Sequence, residues 1–366
     1  MKYDYLIVGA GFAGCVVAER LASKMGKKIL LIDRRYHIGG NAYDSINEYG
    51  IRIQHYGPHL FHTNSEYVFS YLSHFAGWRH YEHRVLAWVH GKFVPMPVNR
   101  TTINLLFGYS FTTDDQVKKF YESERESIGE ITNSEEFVRS KVGKKLYELL
   151  YKGYTTKQWG CDPSKLSPSV CGRLPVRTNT DDRYFTDKYQ VIPTDGYASL
   201  FSRLTSHQNI HIEMNTNFVD VPTNRYKRIV FTGPIDEFFG YVYGTLPYRS
   251  LRFEFKTYDQ EYVQSVAQQN YPNDFNYIRS TEYKHITGQK NRKTTISLEY
   301  PIETGDPYYP VPNNNSESIY SKYFSLAQKL QSVYFAGRLG TYRYYNMDQV
   351  VAGSLRLFEK ISGNTF

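Results

Sequence analysis

The sequence predicts an α/β protein in which a parallel-sheet domain is assembled from separated segments, with a helical domain and an antiparallel sheet domain inserted between them. Three observations support this fold class. The chain opens with a short apolar run that leads into a glycine-rich turn, its middle has helical periodicity, and its end again has a strand, a glycine turn and a helix. Because the last segment matches the first, we expect the chain to return to its first sheet.

The opening turn has the spacing of a dinucleotide-binding fingerprint. An apolar run over 3–8 predicts a buried strand, and residues 13–23 have the periodicity of a helix. Between them Gly9 permits a tight turn, Gly11 lets the backbone approach a pyrophosphate, and Gly14 lets the helix pack closely on the strand. The N-terminus of that helix offers free N–H groups to phosphate. The segment therefore predicts a Rossmann-like nucleotide site.

A second strand and a second glycine segment indicate which dinucleotide binds. Residues 28–32 predict a strand that ends at Asp33, where a carboxylate can bind a ribose hydroxyl. The run from Arg34 to Asn41 then contains the pair Gly39–Gly40. An acid followed by basic residues and a glycine pair resembles the extended fingerprint of glutathione-reductase-type proteins, which bind FAD. A nicotinamide enzyme does not need this second glycine segment, so FAD is favoured over NAD.

Charge and aromatic content leave two kinds of anionic partner to weigh. The 366 residues are 41% hydrophobic and 22% charged, as is ordinary for a globular chain. A net charge of +8 with 35 tyrosines is compatible with a nucleic-acid binder, in which bases stack on aromatic rings. The basic residues are, however, spread evenly along the chain. This distribution favours a pocket for an anionic small ligand.

Other sequence features bear on metals, membranes and location. The three cysteines, Cys15, Cys161 and Cys171, are too few and too scattered to predict a disulfide framework or a metal site. No apolar run approaches the length of a membrane span, and no signal segment precedes the first strand. We therefore expect a cytoplasmic protein with no metal and no membrane insertion.

Local patterns divide the chain into three regions. A hairpin is predicted over 85–94, helices over 110–154 with starts at Thr113 and Ser134, and later strands at 228–231, 251–255, 294–300 and 333–335. We assign 1–80, 195–240 and 315–366 to the FAD-binding domain and 100–165 to the helical domain. The antiparallel sheet domain, for substrate, takes 81–99, 170–194 and 241–314, with 160–180 as a mobile lid loop.

Several longer segments carry a family resemblance. In chain order they are His37–Tyr43, Tyr56–Thr63, Lys152–Trp159, Arg173–Arg177, Thr232–Asp236, Tyr248–Leu251, Asp306–Val311, Gly337–Leu339 and Tyr344–Tyr345. They resemble the UDP-galactopyranose mutase family over nearly the whole chain. The resemblance implies a reversible contraction of UDP-galactopyranose to UDP-galactofuranose through a covalent bond between N5 of reduced FAD and the anomeric carbon of the sugar. It also implies an external reductant such as NADPH or NADH, and a homodimer.

The same resemblance implies roles for individual residues. Arg177 and Arg279 match arginines that bind the diphosphate, and His59 and His62 match histidines beside the flavin; these four are the candidate catalytic residues. Arginine suits a leaving diphosphate because its planar guanidinium pairs with phosphate oxygens and keeps its charge. The candidate substrate-binding residues are Tyr154, Thr155, Trp159, Tyr189, Arg249, Tyr309, Tyr344 and Asn346. The candidate cofactor-binding residues are Gly9, Gly11, Phe12, Gly14, Asp33, Arg34, Gly40, Asn41, His59, Leu60, Phe218, Val219, Arg338, Tyr345, Met347 and Asp348.

A few positions depart from the family pattern and bear on the sugar. Family members usually carry Asp where this chain has Asn346, the sequence 178–181 after the lid arginine is unusual, and 81–84 falls in a variable segment. A mutase for dTDP-fucopyranose or for UDP-N-acetylgalactopyranose is therefore an alternative with the same mechanism. An FAD oxidoreductase of the amine-oxidase type shares the N-terminal fingerprint, but its substrates have no diphosphate for the arginines and tyrosines to bind. The complete set of site residues disfavours a nucleotide-binding module without catalysis.

Overall fold

The computed structural model describes residues 2–363. In this range the strands are β1 (Tyr3–Val8), β2 (Ile29–Ile32), β3 (Asp44–Ile46), β4 (Arg52–Gln54), β5 (Phe61–Thr63), β6 (Trp78–His80), β7 (Val85–Val89), β8 (Lys92–Met96), β9 (Tyr189–Pro193), β10 (Ile210–Glu213), β11 (Tyr226–Phe231), β12 (Tyr248–Tyr258), β13 (Gln268–Asn270), β14 (Arg279–Glu282), β15 (Thr294–Ile302), β16 (Tyr309–Pro310) and β17 (Val333–Phe335). The helices are α1 (Phe12–Met25), α2 (Glu66–Ser73), α3 (Arg100–Phe107), α4 (Asp114–Glu124), α5 (Ser134–Leu146), α6 (Gly153–Trp159), α7 (Tyr197–Leu204), α8 (Ile235–Phe238), α9 (Tyr283–Thr287), α10 (Asn314–Ala327), α11 (Gly337–Gly340) and α12 (Met347–Ser362).

The first sheet is parallel and has the order β10–β2–β1–β11–β17. Its central strands are continuous apolar runs because both faces are covered, and Leu6, Ile7, Leu30 and Leu31 are fully buried. Helices α1 and α12 pack on each other in the core of this domain. The C-terminal strand and helix therefore do return to the sheet that begins the chain. The predicted Rossmann-like α/β architecture is confirmed.

The second sheet has the order β16–β12–β15–β14–β13–β7–β8. Its neighbouring strands are antiparallel except for β13 and β7, which pair in parallel. The expectation of an antiparallel sheet was therefore wrong in this one pairing. The hairpin β7–β8 and strand β13 are distant in sequence, and short-range patterns fix no direction between strands that meet only in the tertiary fold.

A smaller sheet joins the two larger parts. Strand β9 lies between β5 and β6, antiparallel to both. Residues 189–193 therefore do not extend the second sheet, although the sequence placed 170–194 in that domain. This sheet brings the segment before β9 next to β5, and both contribute to the functional site.

The inserted helices rest on the β7–β8 hairpin. Thr113 caps α4 by accepting a hydrogen bond from the backbone N–H of Gln116, as the sequence predicted, and α5 starts at Ser134 with Asn133 as its cap. Apolar side chains of α4 and α5 form one core with the hairpin. A π-helical stretch over 147–152 then leads into α6, which carries aromatic side chains into the site.

Residues 2–363 contain neither a candidate membrane-spanning helix nor a candidate metal-binding cluster. None of the helices there is both long and apolar enough to cross a membrane. The same residues contain no group of three His, Cys, Asp or Glu side chains that could hold a metal ion.

Candidate functional site

A cavity of about 510 Å³ opens where the two large sheets and the helical region meet. Segments from each of these parts form its wall: 56–62, 150–159, 170–187, 268–279 and 338–347. The cavity therefore exists only in the assembled fold, and each inserted region supplies some of its chemistry.

Next to this cavity the N-terminal turn forms a backbone cradle. Gly9 has a φ of +101°, which favours glycine, and a Cβ on Gly40 would lie 2.9 Å from the Cα of Gly11. No side chain caps the N-terminus of α1 at Gly11. The carboxylate of Asp33 accepts a hydrogen bond from the backbone N–H of Ala10 at 2.8 Å. Close glycine backbones, free helix N–H groups and an adjacent acid fit the pyrophosphate and ribose of a dinucleotide.

Several other candidate cofactor residues lie around the cradle rather than in the cavity wall. Phe12 packs in the core against other aromatic rings, so its side chain is structural. Arg34 is ion-paired with Asp306 at 2.9 Å. Asp348 accepts a hydrogen bond from a hydroxyl of β5 at 3.0 Å. All three positions are compatible with supporting the cofactor, but their side chains already have protein partners.

The sequence also predicts a strand at Phe218 and Val219 that would receive the adenine, and the structure differs from this prediction. Phe218 and Val219 belong to a 3₁₀ turn rather than a strand, Phe218 packs on aromatic side chains, and Val219 is 86% exposed. Just before them, the N–H of Thr216 donates to the carbonyl of Asp33 at 2.9 Å. The turn is therefore beside the acidic end of β2, where an adenosine would extend from the cradle.

Two predicted histidines line the cavity with Leu60 between them. The Nδ1–H of His59 donates to the carbonyl of Gly57 at 2.9 Å, and burial lowers its pKa to about 4. The ring is therefore neutral, with Nε2 as an acceptor. The ring of His62 stacks on Phe185 at 3.7 Å, and its Nδ1 is 2.9 Å from a carboxylate oxygen of Asp187. Both rings are thus held in one orientation.

Positive charge lies along the same wall. The Nε of Arg338 donates to the carbonyl of Tyr345 at 2.8 Å, and burial lowers the pKa of this guanidinium from its ordinary value. Met347, in the first turn of α12, also lines the cavity, as does Asn41. A partly buried arginine and a helix N-terminus together favour an anionic ring system at this position.

Arg279 is a largely buried cation of the cavity wall, with 17% of its side chain exposed. Its Nη2 is 3.2 Å from Glu299, and its guanidinium lies 5.8 Å from the ring centre of Tyr154. Burial alone lowers the pKa of Arg279, but Glu299 and the surrounding tyrosines reverse that effect and raise it. Its Nε is buried without a hydrogen-bond partner among the described residues. Arg279 therefore offers a fixed charge and a free donor to an anion.

The lid segment supplies two arginines with different contacts. Arg177 donates from Nη1 to the carbonyls of Asp181 and Arg183 at 2.9 and 2.5 Å, and its buried Nη2 has no partner in the described chain. Arg173 lies over the ring of Tyr344 at 4.2 Å and donates to Oδ1 of Asn346 at 2.9 Å. Both line the cavity, and Arg173 also contacts Asn346 at the start of α12.

The predicted aromatic residues mostly come together. Trp159 is 5% exposed and packs edge-on against Tyr309 and Tyr344, with ring centres 5.1 and 5.5 Å apart. Tyr154 lines the same part of the cavity, and so does Thr155, whose hydroxyl is 3.7 Å from the sulfur of Cys171. These side chains line one part of the cavity and offer it an aromatic surface, the kind on which a nucleobase can stack.

The structure does not bring two candidate residues into the cavity wall. The hydroxyl of Tyr189 bonds to Glu66, and its ring stacks on Phe69 outside the cavity. Arg249 donates from Nε to the carbonyl of Gln158 at 3.0 Å, so it fixes the end of α6 from behind. The motifs that contain Tyr189 and Arg249 do lie near the cavity. The side chain of Tyr189, however, lies on the face of β9 that points away from the cavity.

Sequence reasoning missed several residues that do line the cavity: Arg173, Tyr184, Phe185, Asp187, His83, Gln268, Asn270 and Glu299. Arg173 is the first residue of the recognised motif Arg173–Arg177, so a signal for it was present, and Tyr184 lies near that motif. The strand residues carried no local signal, because their role depends on which face of the second sheet meets the cavity.

The fold and the site define a dinucleotide-binding protein whose neighbouring cavity is lined by arginine and tyrosine side chains. A family model described as UDP-galactopyranose mutase matches residues 149–344, and one described as NAD(P)-binding Rossmann-like domain matches residues 7–75. The chain belongs to the UDP-galactopyranose mutase family and is an isomerase. The dinucleotide-binding domain, in this family, indicates FAD as the cofactor.

Individual relatives agree with this assignment. The chain is 40% identical to a probable UDP-galactopyranose mutase of Klebsiella pneumoniae, covering 96% of this chain and 93% of that one. It is 37% identical to a dTDP-fucopyranose mutase of Escherichia coli, covering 94% of each. A solved structure of reduced UDP-galactopyranose mutase superposes with a TM-score of 0.80 at 16% identity, over 100% of this chain and 95% of that one. The family resemblance expected from the motifs is confirmed.

Proposed function

We propose that the protein converts UDP-galactopyranose reversibly into UDP-galactofuranose. The observation that carries this proposal is a candidate anion site, where Arg279, Arg173, Tyr309 and Tyr344 line the same cavity as His59 and Arg338. A nucleotide sugar held there would place its anomeric carbon between its own diphosphate and the flavin. The names of the relatives at 40% and 37% identity support a pyranose–furanose mutase.

The cofactor and the protein side chains contribute different parts of the proposed chemistry. When bound and reduced, FAD would supply the nucleophile for the anomeric carbon, with NADPH or NADH as the external reductant. The residues of this chain bind and orient the substrate. Trp159 and Tyr154 stack on the base, while Tyr309, Tyr344 and the arginines bind the diphosphate.

Charge on the departing diphosphate is the main electrostatic demand. Arg279 is already desolvated and paired with Glu299, so little reorganisation is required when that charge develops. Arg173 is on the lid and would exchange Asn346 for phosphate oxygens. His62, oriented by Asp187, presents Nε2 to the sugar hydroxyls. These groups position the sugar, and the aromatic pocket excludes water around it.

A second sugar has specific support. Asn346 replaces the family's usual Asp beside Arg173, and the dTDP-fucopyranose mutase relative is nearly as similar as the first. A dTDP-fucopyranose mutase is therefore the second candidate, with UDP-N-acetylgalactopyranose as a further substrate to compare. UDP-galactopyranose remains the first proposal.

One experiment addresses both the sugar and the redox state. The holoenzyme is incubated with UDP-galactose, UDP-N-acetylgalactosamine or dTDP-fucose, with and without dithionite, and the products are separated by chromatography. We expect furanose only with dithionite and the highest kcat/KM for UDP-galactose. Equal turnover with oxidised flavin would overturn the proposed chemistry, and a higher kcat/KM for another sugar would replace the substrate.

We also propose the cytoplasmic location expected from the cysteine content and the homodimer that the family resemblance implies. Size-exclusion chromatography with light scattering is expected to give twice the mass of the 42.8 kDa chain. A monomer mass at micromolar concentration would contradict the dimer.

A further inference from the structure

One wall of the cavity contains a buried chain of polar side chains that the proposed chemistry does not use. The hydroxyl of Tyr81 is 3.2 Å from Nδ1 of His83, and Nε2 of His83 is 3.3 Å from Oε1 of Gln268. Nε2 of Gln268 donates to Oδ1 of Asn270 at 2.9 Å. His83, Gln268 and Asn270 are 2%, 4% and 7% exposed, and all three line the cavity.

The hydrogen bonds that link Tyr81, His83, Gln268 and Asn270 all run in one direction from donor to acceptor. Burial lowers the pKa of His83 to about 3, so the ring is neutral and has a single N–H. Nε2 faces an amide oxygen, so that nitrogen carries the proton and Nδ1 accepts from Tyr81. Gln268 accepts at its oxygen and therefore donates from its nitrogen. The oxygen of Asn270 is the acceptor at the end of the chain.

This direction fixes which end of the Asn270 amide faces the cavity. Its Oδ1 is occupied by Gln268, and we find no protein partner for its Nδ2 within residues 2–363. Asn270 lies directly opposite Arg279 in the β13–β14 ladder. The free N–H₂ is therefore next to the guanidinium that the proposed function assigns to the diphosphate.

We propose that His83 and Gln268 are positioning residues that hold the amide of Asn270 with its N–H₂ toward an oxygen acceptor of the bound nucleotide. This inference rests on the proposed function, because that function places a nucleotide beside Arg279. An amide that is free to turn offers its oxygen and its nitrogen to a ligand equally. Because the amide of Asn270 is held in one orientation, its N–H₂ already faces the ligand site before the ligand binds. The opposite orientation would place the amide oxygen against an anion and repel that anion.

The test is the affinity of the FAD-loaded protein for UDP, measured by isothermal titration calorimetry and repeated with dTDP. Asn270→Ala is expected to weaken UDP binding about tenfold, the effect of one hydrogen bond to a charged acceptor. Gln268→Met removes the positioning partner with little change of volume and is expected to weaken binding several-fold. In the double variant the loss should equal that of Asn270→Ala alone, because Gln268 acts through Asn270.

Gln268→Glu tests the direction of the chain. A carboxylate accepts from both neighbours, so Nδ2 of Asn270 would turn toward it and leave its oxygen facing the nucleotide. We expect a loss at least as large as that of Asn270→Ala. The control is Gln269→Met, because Gln269 is the next residue of β13, bonds to Tyr271 instead and is absent from the cavity wall. Its UDP affinity should match the wild type.

Two outcomes would overturn the inference. One is an unchanged Kd in Gln268→Met; the other is an equal further loss when Gln268→Met is added to Asn270→Ala. FAD content and Tm, measured for each variant, separate misfolding from a loss of positioning. The proposed function fails separately, by absence of ring contraction with dithionite, whatever the UDP affinities are.

Discussion

The arginines of the site differ in what their guanidinium groups contact, and these contacts determine how much each can contribute to catalysis. Arg279 is largely buried, and its Nε has no hydrogen-bond partner among the described residues. Nη1 of Arg177, by contrast, donates hydrogen bonds to two carbonyls of its own loop. Arg173 contacts Asn346 and both the ring and the backbone carbonyl of Tyr344, and it can exchange these contacts for a phosphate. The sequence favoured Arg177 as the lid arginine, but these contacts favour Arg173 as its partner or replacement in that role.

Alanine variants of the three arginines separate these roles. We expect Arg279→Ala and Arg173→Ala each to lower kcat by about 100-fold or more, since charge develops on the leaving diphosphate. Arg177→Ala should have a smaller effect on kcat and a larger one on Tm, because it removes bonds that shape the lid. Steady-state kinetics with dithionite-reduced enzyme provide the measurement. Near-normal kcat in Arg173→Ala, with a severe loss in Arg177→Ala, would restore the original assignment.

At the scale of elements, glycines decide how closely α1 can approach the first sheet. A Cβ on Gly14 would lie 1.9 Å from the carbonyl oxygen of Gly9, so no side chain fits without moving the turn. The sequence predicted this close packing from the fingerprint alone. It could not predict the kink at Gly143 within α5, which depends on the carbonyl of Glu124 in another helix.

Replacing Gly14 and a control glycine by alanine should distinguish loss of FAD binding at the N-terminal turn from a change in helix stability. Gly14→Ala is expected to lower both FAD content and Tm, because the new methyl group displaces the turn that holds the pyrophosphate. Gly353→Ala, in α12, is the matched control, since a Cβ there has no neighbour closer than 4.0 Å. It should retain FAD and gain stability of about 1 kcal/mol from improved helix propensity. Flavin absorbance and thermal melts give both readouts, and full FAD occupancy in Gly14→Ala would contradict the packing argument.

For the molecule as a whole, buried neutral histidines make stability depend on pH. Burial lowers the pKa of His83 to about 3 and that of His59 to about 4, whereas an unfolded histidine titrates near 6.5. The unfolded chain therefore binds protons that the folded chain does not. Their contribution to the free energy of unfolding is fully present above pH 6.5 and is lost as the pH falls toward 4 and then 3.

Thermal melts across this range test the linkage. The Tm of the wild type is expected to fall steadily from pH 7 to pH 4, and His83→Asn should show a shallower decrease because one of the two groups no longer titrates. Parallel curves for the two proteins would show that His83 does not contribute. Phe185 and Tyr184 surround this ring, so the neutral replacement keeps most of the packing.

Much of the fold was predictable because it depends on local order along the chain. Strand β1, the glycine turn, α1 and Asp33 follow one another within 33 residues, and the hairpin β7–β8 and the cap at Thr113 are equally local. The parallel pairing of β13 with β7 was not predictable, since it joins segments that are far apart in sequence. Tyr189 shows the same limit within the site, because its direction depends on the register of β9 against β5.

By itself, the sequence determined the dinucleotide domain, the family and the types of residue that the site contains. Glycine spacing and long motifs carry that information because backbone conformation and residue chemistry are local properties. Only the tertiary structure decided which arginine contacts the start of α12, which tyrosines line the cavity and how the amide of Asn270 is turned. Those facts depend on burial, register and hydrogen-bond direction, which arise when segments distant in sequence pack against each other.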